Sequence, residues 1–514
     1  MPDSRYSIAQ YYHERTKYDP KTISAKNQGL DWSTQPSAYK EYKFGKSFDL
    51  KPYLTEEVQF ADDGLLTRQW QRLSKLLFCS YGLTARVPTM TGESLYLRSA
   101  PSAGGLYPAE IYLISQGTPL LPPGLYSYQP RNHSLIYFWE SNNVWSTLQA
   151  ACFDHPALTK TQIAIATTAV FFRSAWRYQD RAYRRIYLDT GHLLGNIELA
   201  CALNDYRPYE IGGFLDSSID ELLYLDREQE GATAVIPIVD VQDRGEDVSG
   251  IASGFTASAS ATQTDYPRVP EGQLLTYLHQ ATRIEALIET KNQSPESSPA
   301  QTTDKYNFPF CTKISTVTEP IYWEAQLEDL ESTMLKRRST RAYSGNALTL
   351  SELKSVLDFT YQPQQYAEQG FDHAPDYFDL SLIETFVSVS SIVGLEEGCY
   401  YYAPKAQELR QIRFKNFRPE LHFLCLGQDL GRDASAVIFH TADLAKAVEK
   451  YGDRAYRYLH MDAGHLGQKL NLAAIQLGLG VSGIAGFFDD QVNEVLGIPE
   501  DEAVLYITTL GRPL

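Results

Sequence analysis

Apolar residues recur at helical spacing in two long stretches of the chain. From Asp180, DRAYRRIYLDTGHLLGNIELACAL sets Ile186, Leu193, Leu194 and Ile197 along one face, and from Asp453, DRAYRYLHMDAGHLGQKLNLAAIQL does the same with Leu459, Leu466 and Leu470. Both patterns predict long buried helices that break at glycines. Apolar runs at Ala109–Ser115, Ile163–Phe172 and Val504–Thr509 read as strands. Further helices are expected over LTRQWQRLSKLLFCSYG, LTLSELKSVLDF and GQLLTYLHQATRIEALIE. Strands interspersed with helices place the chain in the α+β class.

The two helical patterns belong to a longer repeat. The segments from Asp180 and Asp453 align without a gap at an offset of 273, sharing DRAYR, Asp189/Asp462, Gly191/Gly464, His192/His465, Gly213/Gly486, Phe214/Phe487 and Asp216/Asp489. Glu110–Tyr128 matches Glu384–Tyr402 at an offset of 274, so the repeated unit is a whole domain. Residues 243–270 and 291–305, rich in Ser, Thr, Ala, Gln and Pro, read as linker around the helix GQLLTYLHQATRIEALIE. The expected partition is an N-terminal extension over 1–60, a first domain over 61–242, a linker with a helix over 243–330 and a second domain over 331–514. The extension either caps a site or wraps the core. Two copies of a dimerising domain in one chain would fold as a pseudo-dimer with the long helices paired at a quasi-twofold axis.

A chain of 514 residues suffices for domains of this size. Its 46 Lys and Arg against 63 Asp and Glu leave a net charge of −17, which repels phosphate backbones and anionic lipid and argues against nucleic-acid and membrane partners. The start carries no basic flank leading into an apolar run, and no stretch is long enough to span a bilayer, so a cytoplasmic location is expected. Six cysteines without a C-x-x-C pair fit reduced packing residues.

Four motifs bear on chemistry. Gly478–Gly483 spells G-x-G-x-x-G but follows a helix, so it reads as a helix cap and glycine turn rather than a dinucleotide fingerprint. His460 and His465 stand five apart, and His460 aligns with Tyr187, which disfavours a metal pair; His192 and His465 are expected to hydrogen-bond across the helix interface. The run Lys336-Arg337-Arg338-Ser339-Thr340-Arg341 suits a phosphate monoester, with a solvated basic turn as the alternative. Pro101-Ser102-Ala103-Gly104-Gly105, ahead of the strand AEIYLIS, lets backbone amides approach a flat or anionic ligand, or is simply a turn into that strand.

Together RRSTRAYSGNALTLSELKSVL, PSAGGLYPAEIYLIS, the second DRAYR segment and the closing LYITTLGRP resemble the FMN-dependent nitroreductase superfamily. PSAGGLYP and YHERTKY resemble its SagB-type dehydrogenase branch, which includes azoline oxidases of peptide-natural-product pathways. The resemblance implies two tandem nitroreductase-like FMN-binding domains forming an intramolecular pseudo-dimer. It puts Arg337, Arg338, Ser339, Arg341 and Arg512 on phosphate-binding positions, Ile484, Ala485 and Gly486 beside the flavin, and Pro101, Ser102, Ala103, Gly104 and Gly105 on the loop supplied by the other half. Lys450 and Tyr451 resemble the Lys-Tyr pair that azoline oxidases use for proton removal, with a solvated helix-start lysine as the alternative; Arg177-Tyr178 is the aligned pair.

Each half has lost a different part. The run before Glu384 lacks PSAGG, no R-R-S-x-R precedes the first half's helix, and a strand alignment sets Asp243 opposite Arg512. One FMN site per chain, built from both halves, is therefore expected. The implied activity is a ping-pong FMN-dependent oxidoreductase, with NAD(P)H as a transient donor, acting on a small organic or peptide-derived substrate. The alternative is a catalytically degenerate flavin-binding or scaffold protein. Further association of pseudo-dimers is left open.

Overall fold

The computed structural model describes residues 6–23, 29–55, 64–88, 94–242, 256–286 and 303–514. In the first half, helix α1 (Ile8–Thr16) precedes strand β1 (Lys46–Asp49), helix α2 (Gly64–Tyr81) and a hairpin of β2 (Leu83–Pro88) and β3 (Ser94–Arg98). Strands β4 (Ala109–Ser115), β5 (Gly124–Gln129), β6 (Ser134–Glu140), β7 (Ile163–Val170), β8 (Tyr206–Pro208) and β9 (Glu230–Asp240) join β1 in one antiparallel sheet, ordered β1-β6-β5-β4-β7-β9-β8. Every residue of β4 is buried, which explains an apolar run without alternation. Strand β7 stops at Val170 because Phe171 opens helix α3 (Phe171–Tyr178), which leads into the long α4 (Ala182–Leu203).

The second half repeats this plan. Helix α5 (Leu274–Ala281) precedes β10 (Lys313–Ser315), and α6 (Leu350–Tyr361) follows β11 (Leu348–Thr349), which pairs with β13 (Ile392–Val393). A second seven-stranded sheet runs β10-β15-β14-β12-β16-β18-β17, with β12 (Glu384–Val389), β14 (Gly398–Ala403), β15 (Glu408–Arg413), β16 (Ala436–Asp443), β17 (Gly480–Ile484) and β18 (Glu502–Gly511). Helices α7 (Leu444–Tyr451) and α8 (Ala455–Gln476) match α3 and α4. Even the register shift recurs: it falls between Thr167 and Thr168 in one sheet and between His440 and Thr441 in the other, 273 residues on. After α8, Gly478 takes the left-handed conformation (φ 69°) and closes the helix, and the rest of the glycine motif forms β17.

Helices α4 and α8 cross where Gly191 meets Gly464. A Cβ on Gly191 would stand 2.0 Å from the Met461 carbonyl oxygen, and one on Gly464 2.3 Å from that of Leu188, so only glycine allows this approach. Polar groups beside the crossing bond between the halves. His192 Nδ1 lies 3.0 Å from Gln468 Oε1 and its Nε2 2.9 Å from the Tyr506 hydroxyl, while His465 Nε2 lies 2.8 Å from Glu198 Oε2. Burial lowers His192 to about 3, so it bonds as a neutral ring.

The arms of the two halves revise the expected partition. Helix α5 is the counterpart of α1: His13-x-x-Thr16 recurs as His279-x-x-Thr282. Arg184 Nη2 donates to the His13 carbonyl (2.7 Å) and to Thr16 Oγ1 (2.9 Å), while Arg457 bonds the His279 carbonyl (3.3 Å) and Thr282 Oγ1 (2.8 Å). Further on, Lys40 pairs with Glu230 and Lys305 with Glu502, both at 2.5 Å. The segment expected as a linker helix is therefore the arm of the second half. The stretch before it also packs: Ser260 donates its amide to the Tyr451 carbonyl, and Ile8 donates to that of Gln263. The remaining linker residues, 243–255 and 287–302, lie outside the described residues. Five cysteines are buried and Cys311 is half-buried. Among the described residues no helix is long and apolar enough to cross a membrane.

Candidate active site

The basic run of the second half docks on the first half just ahead of its glycine-rich loop. Arg337 is 3% exposed; its Nε donates to the Ser99 carbonyl (2.5 Å), its Nη2 reaches that of Arg98 (3.3 Å), and its Nη1 is buried with no partner. Burial, reinforced by the charges of Arg338 and Arg341, lowers the Arg337 pKa to about 10. Arg338 is committed elsewhere, donating to the Thr84 carbonyl (2.7 Å) and hydroxyl (3.1 Å) on β2. Thr340 fastens the loop to β17, its amide donating to the Val481 carbonyl (2.8 Å) and its Oγ1 accepting from the Val481 amide (3.0 Å). Ser339 is half-buried and Arg341 exposed. Arg512, one residue past β18, pairs with Glu352 of α6 at 2.7 Å.

The Pro101–Gly105 loop is held by Asp189 of α4. The Ser102 hydroxyl donates to its Oδ2 (2.6 Å) and the Ala103 amide to its Oδ1 (3.1 Å). Burial raises the Asp189 carboxyl to about 7 in spite of those bonds. Gly104 and Gly105 both adopt the left-handed conformation (φ 67° and 68°), which explains the glycine pair. A Cβ on Gly104 would stand 2.8 Å from the Tyr178 hydroxyl and 3.5 Å from Arg177 Cδ, so the end of α3 faces this loop.

Arg185 carries the contact to the second half. Its guanidinium carbon sits 3.8 Å from the Tyr178 ring centroid, and its Nη2 lies 3.6 Å from where a Gly486 Cβ would be. Tyr18 from the N-terminal arm closes the same corner through its bridge to Phe488, and Ala485 and Gly486 are half-buried. Among the described residues the amides of Ala485 and Gly486 donate no backbone hydrogen bond. This seam, the candidate cleft, sets Arg337 of one half against Arg98 and Ser99 of the other and Gly486 against Arg185, with Tyr178 bridging Arg185 and Gly104 of the glycine-rich loop.

The pseudo-twofold partner of this cleft is filled. Asp462, the counterpart of Asp189, accepts the amides of Phe378 (3.0 Å) and Asp379 (2.8 Å), so Tyr377–Asp379 stands where Pro101–Ala103 stands opposite. The Phe378 ring stacks on Tyr458 (4.9 Å, 23°) and packs against Gly212, while Ser258 occupies the space beside Gly213. The amides of Gly212 and Gly213, which match Ala485 and Gly486, both donate to the Thr256 carbonyl (2.6 and 3.2 Å).

This arrangement moves Lys450 and Tyr451. Lys450 Nζ lies 2.5 Å and the Tyr451 hydroxyl 3.0 Å from Asp379 Oδ2. The pair belongs to the filled cleft, because the end of α7 faces the loop of its own half, as α3 does; Arg177 and Tyr178 stand at the open one. The expected charge reversal also shifts. Asp243 lies outside the described residues, and the strand register sets Asp240 opposite Arg512. Asp240 pairs with Arg72 of α2 (2.6 Å), a charge-swapped version of the Arg512–Glu352 pair.

His460 bonds the Tyr456 carbonyl through Nδ1 (2.8 Å), and among the described residues no group of three or more His, Cys, Asp or Glu could hold a metal ion. Arg185, Asp189 and Tyr18 escaped sequence reasoning. The signs available were Asp189 recurring as Asp462 and Arg185 standing opposite Tyr458 right after the shared DRAYR.

Comparison with known proteins finds the nitroreductase family twice, over residues 72–238 and 334–512. A crystal structure of a candidate nitroreductase from Anabaena variabilis is 66% identical, covers 99% of this chain and 100% of its own, and superposes with a TM-score of 0.93. The candidate nitroreductase MJ1384 of Methanocaldococcus jannaschii is 36% identical over 196 residues, 37% of this chain and 97% of that protein. The microcin B17-processing protein McbC of Escherichia coli is 26% identical over 152 residues, 28% of this chain and 55% of McbC.

Proposed function

Since this chain belongs to the nitroreductase family, with two of its domains in tandem, we propose that it is an oxidoreductase holding one FMN in the open cleft between its halves. The observation that carries the reading is the buried, unpartnered Nη1 of Arg337 at the seam of the two halves. A buried guanidinium N–H without an acceptor is costly, and a phosphate oxygen would satisfy it with a charge-assisted bond. Ser339 and Arg341 would complete that end, and Arg512 would join them by leaving Glu352. The loop Pro101–Gly105 brings backbone without bulk to the ring, and the amides of Ala485 and Gly486 supply donors at its edge.

When bound, the flavin supplies two-electron chemistry in two separate half-reactions, taking a hydride from NAD(P)H or an oxidisable substrate and passing the electrons to an acceptor such as a nitro compound or quinone. The protein's residues bind and orient. Asp189 fixes the loop through Ser102 and Ala103, and Tyr178 offers the hydroxyl nearest Gly104. At this cleft Arg177 replaces the lysine of a Lys-Tyr pair, and a guanidinium does not act as a base at neutral pH. That favours reduction of a small organic acceptor over ring oxidation by a lysine base.

The test is the visible spectrum of the purified protein, with acid-released flavin identified and counted. About one FMN per chain is expected. Two would overturn the filled-cleft half of the reading, and none after reconstitution would overturn the whole.

A further inference from the structure

Within the cleft proposed above, Arg185 is not accounted for by the cofactor's phosphate. It is 5% exposed, and its Nη1 is buried without a hydrogen-bond partner. Its helix neighbours Arg181 and Arg184 both end on Asp489, at 2.9 and 2.7 Å. Arg185 has no such carboxylate among the described residues, because the oxygens of nearby Asp189 are occupied by Ser102 and Ala103. Tyrosines flank the guanidinium. Tyr178 lies face-on at 3.8 Å, while the Tyr18 hydroxyl takes a hydrogen bond from Arg185, and Arg185 and Arg181 together outweigh the effect of burial, leaving that phenol below the ordinary range; Arg185 Nη1 stays without an acceptor.

The filled cleft shows what the position does without this charge. There Tyr458 replaces Arg185 and spends its hydroxyl on the Gly212 and Ser258 carbonyls (3.1 and 2.9 Å), while Lys450 is neutralised by Asp379. Among the described residues, the open side thus keeps a buried cation without a carboxylate partner where the matching position of the filled side carries no charge, in a chain of net charge −17. A buried guanidinium stacked on the Tyr178 ring, with its Nη1 edge left without an acceptor, matches a planar monoanion, since arginine presents in-plane donors and the buried setting excludes water.

We propose that Arg185 receives a carboxylate of the substrate, so that the cleft selects aromatic or heteroaromatic acids over their neutral isosteres. This deepens the oxidoreductase reading and rests on it for the identity of the cleft, but its test does not depend on turnover. Equilibrium dialysis of the purified protein against 4-nitrobenzoate and against 4-nitrobenzamide compares one ring with and without charge. The wild type should bind the acid about tenfold or more tightly, as a charge-assisted bond in a buried site implies. Arg185→Gln should abolish the preference, Arg185→Lys should keep part of it, and Arg185→Tyr, the residue the mirror position already accommodates, should fold and show none. Equal binding of acid and amide by the wild type, or a preference that survives Arg185→Gln, would overturn the proposal. So would a preference lost only together with bound flavin, which would assign Arg185 to the cofactor. Absence of flavin from the wild type would sink the earlier reading alone, because the acid-to-amide ratio is read by dialysis.

Discussion

Asp189 joins the loop of the candidate cleft to the long helix, and its ionisation makes that link depend on pH. Burial raises its carboxyl from the ordinary value near 4 to about 7. A carboxyl whose folded pKa lies above its unfolded one gives stability that is fully present below about pH 4 and lost as pH rises through 7. Asp462 and Glu384, also raised to about 7, act in the same direction. Asp189→Asn should therefore flatten the fall of Tm between pH 5 and 8 while lowering Tm at pH 5, where the carboxyl is still mostly protonated. Thermal unfolding across that range checks it; a slope equal to wild type would show that Asp189 does not titrate there. The residues found by sequence were those in runs: Arg337–Arg341 and Pro101–Gly105 stand out because several unusual residues adjoin. Arg185 is one substitution in a repeated helix, and nothing local separates it from drift.

Among the elements, the crossing of α4 and α8 was the most legible, since a 22-residue helix repeated at a fixed offset advertises both its length and its partner. The arms were not. They share little beyond His-x-x-Thr and sit at a different offset from the long helices, so a gap-free comparison passes over them. What makes α5 an arm is the bonding of Arg457 to His279 and Thr282, which only the folded chain brings together. The crossing itself has a strict steric requirement. Gly191→Ala places a methyl 2.0 Å from the Met461 carbonyl, so the helices must separate along a buried seam. Overpacking of this kind costs about 1–3 kcal/mol. Gly464→Ala, 2.3 Å from the Leu188 carbonyl, should behave alike. Chemical denaturation should show both losses; a variant as stable as wild type would mean that the two halves can slide apart without cost.

At the scale of the whole molecule, duplication has left two clefts related by pseudo-twofold symmetry and let them diverge. Sequence revealed which motifs each half had lost but not to which cleft Lys450 and Tyr451 belong, because that depends on which half's loop meets each helix end. The filled cleft is blocked three times over. Phe378 and Tyr458 occupy the space beside Gly212, the Thr256 carbonyl takes the amides of Gly212 and Gly213, and Asp240 stands where Arg512 stands opposite. The first two touch, the Thr256 hydroxyl donating to the Tyr377 carbonyl (3.1 Å), but the reversed charge stands apart from both, so removing the ring alone should not restore a site. The double substitution Tyr377→Pro and Phe378→Ser rebuilds the Pro-Ser pair of the other loop and removes the stacked ring, yet leaves the capped amides and the reversed charge. Flavin released per chain should stay at the wild-type count, even with FMN in excess. A second equivalent would mean that Phe378 alone kept the cleft closed, and that the charge swap between Arg72–Asp240 and Glu352–Arg512 carries no weight in choosing which cleft binds.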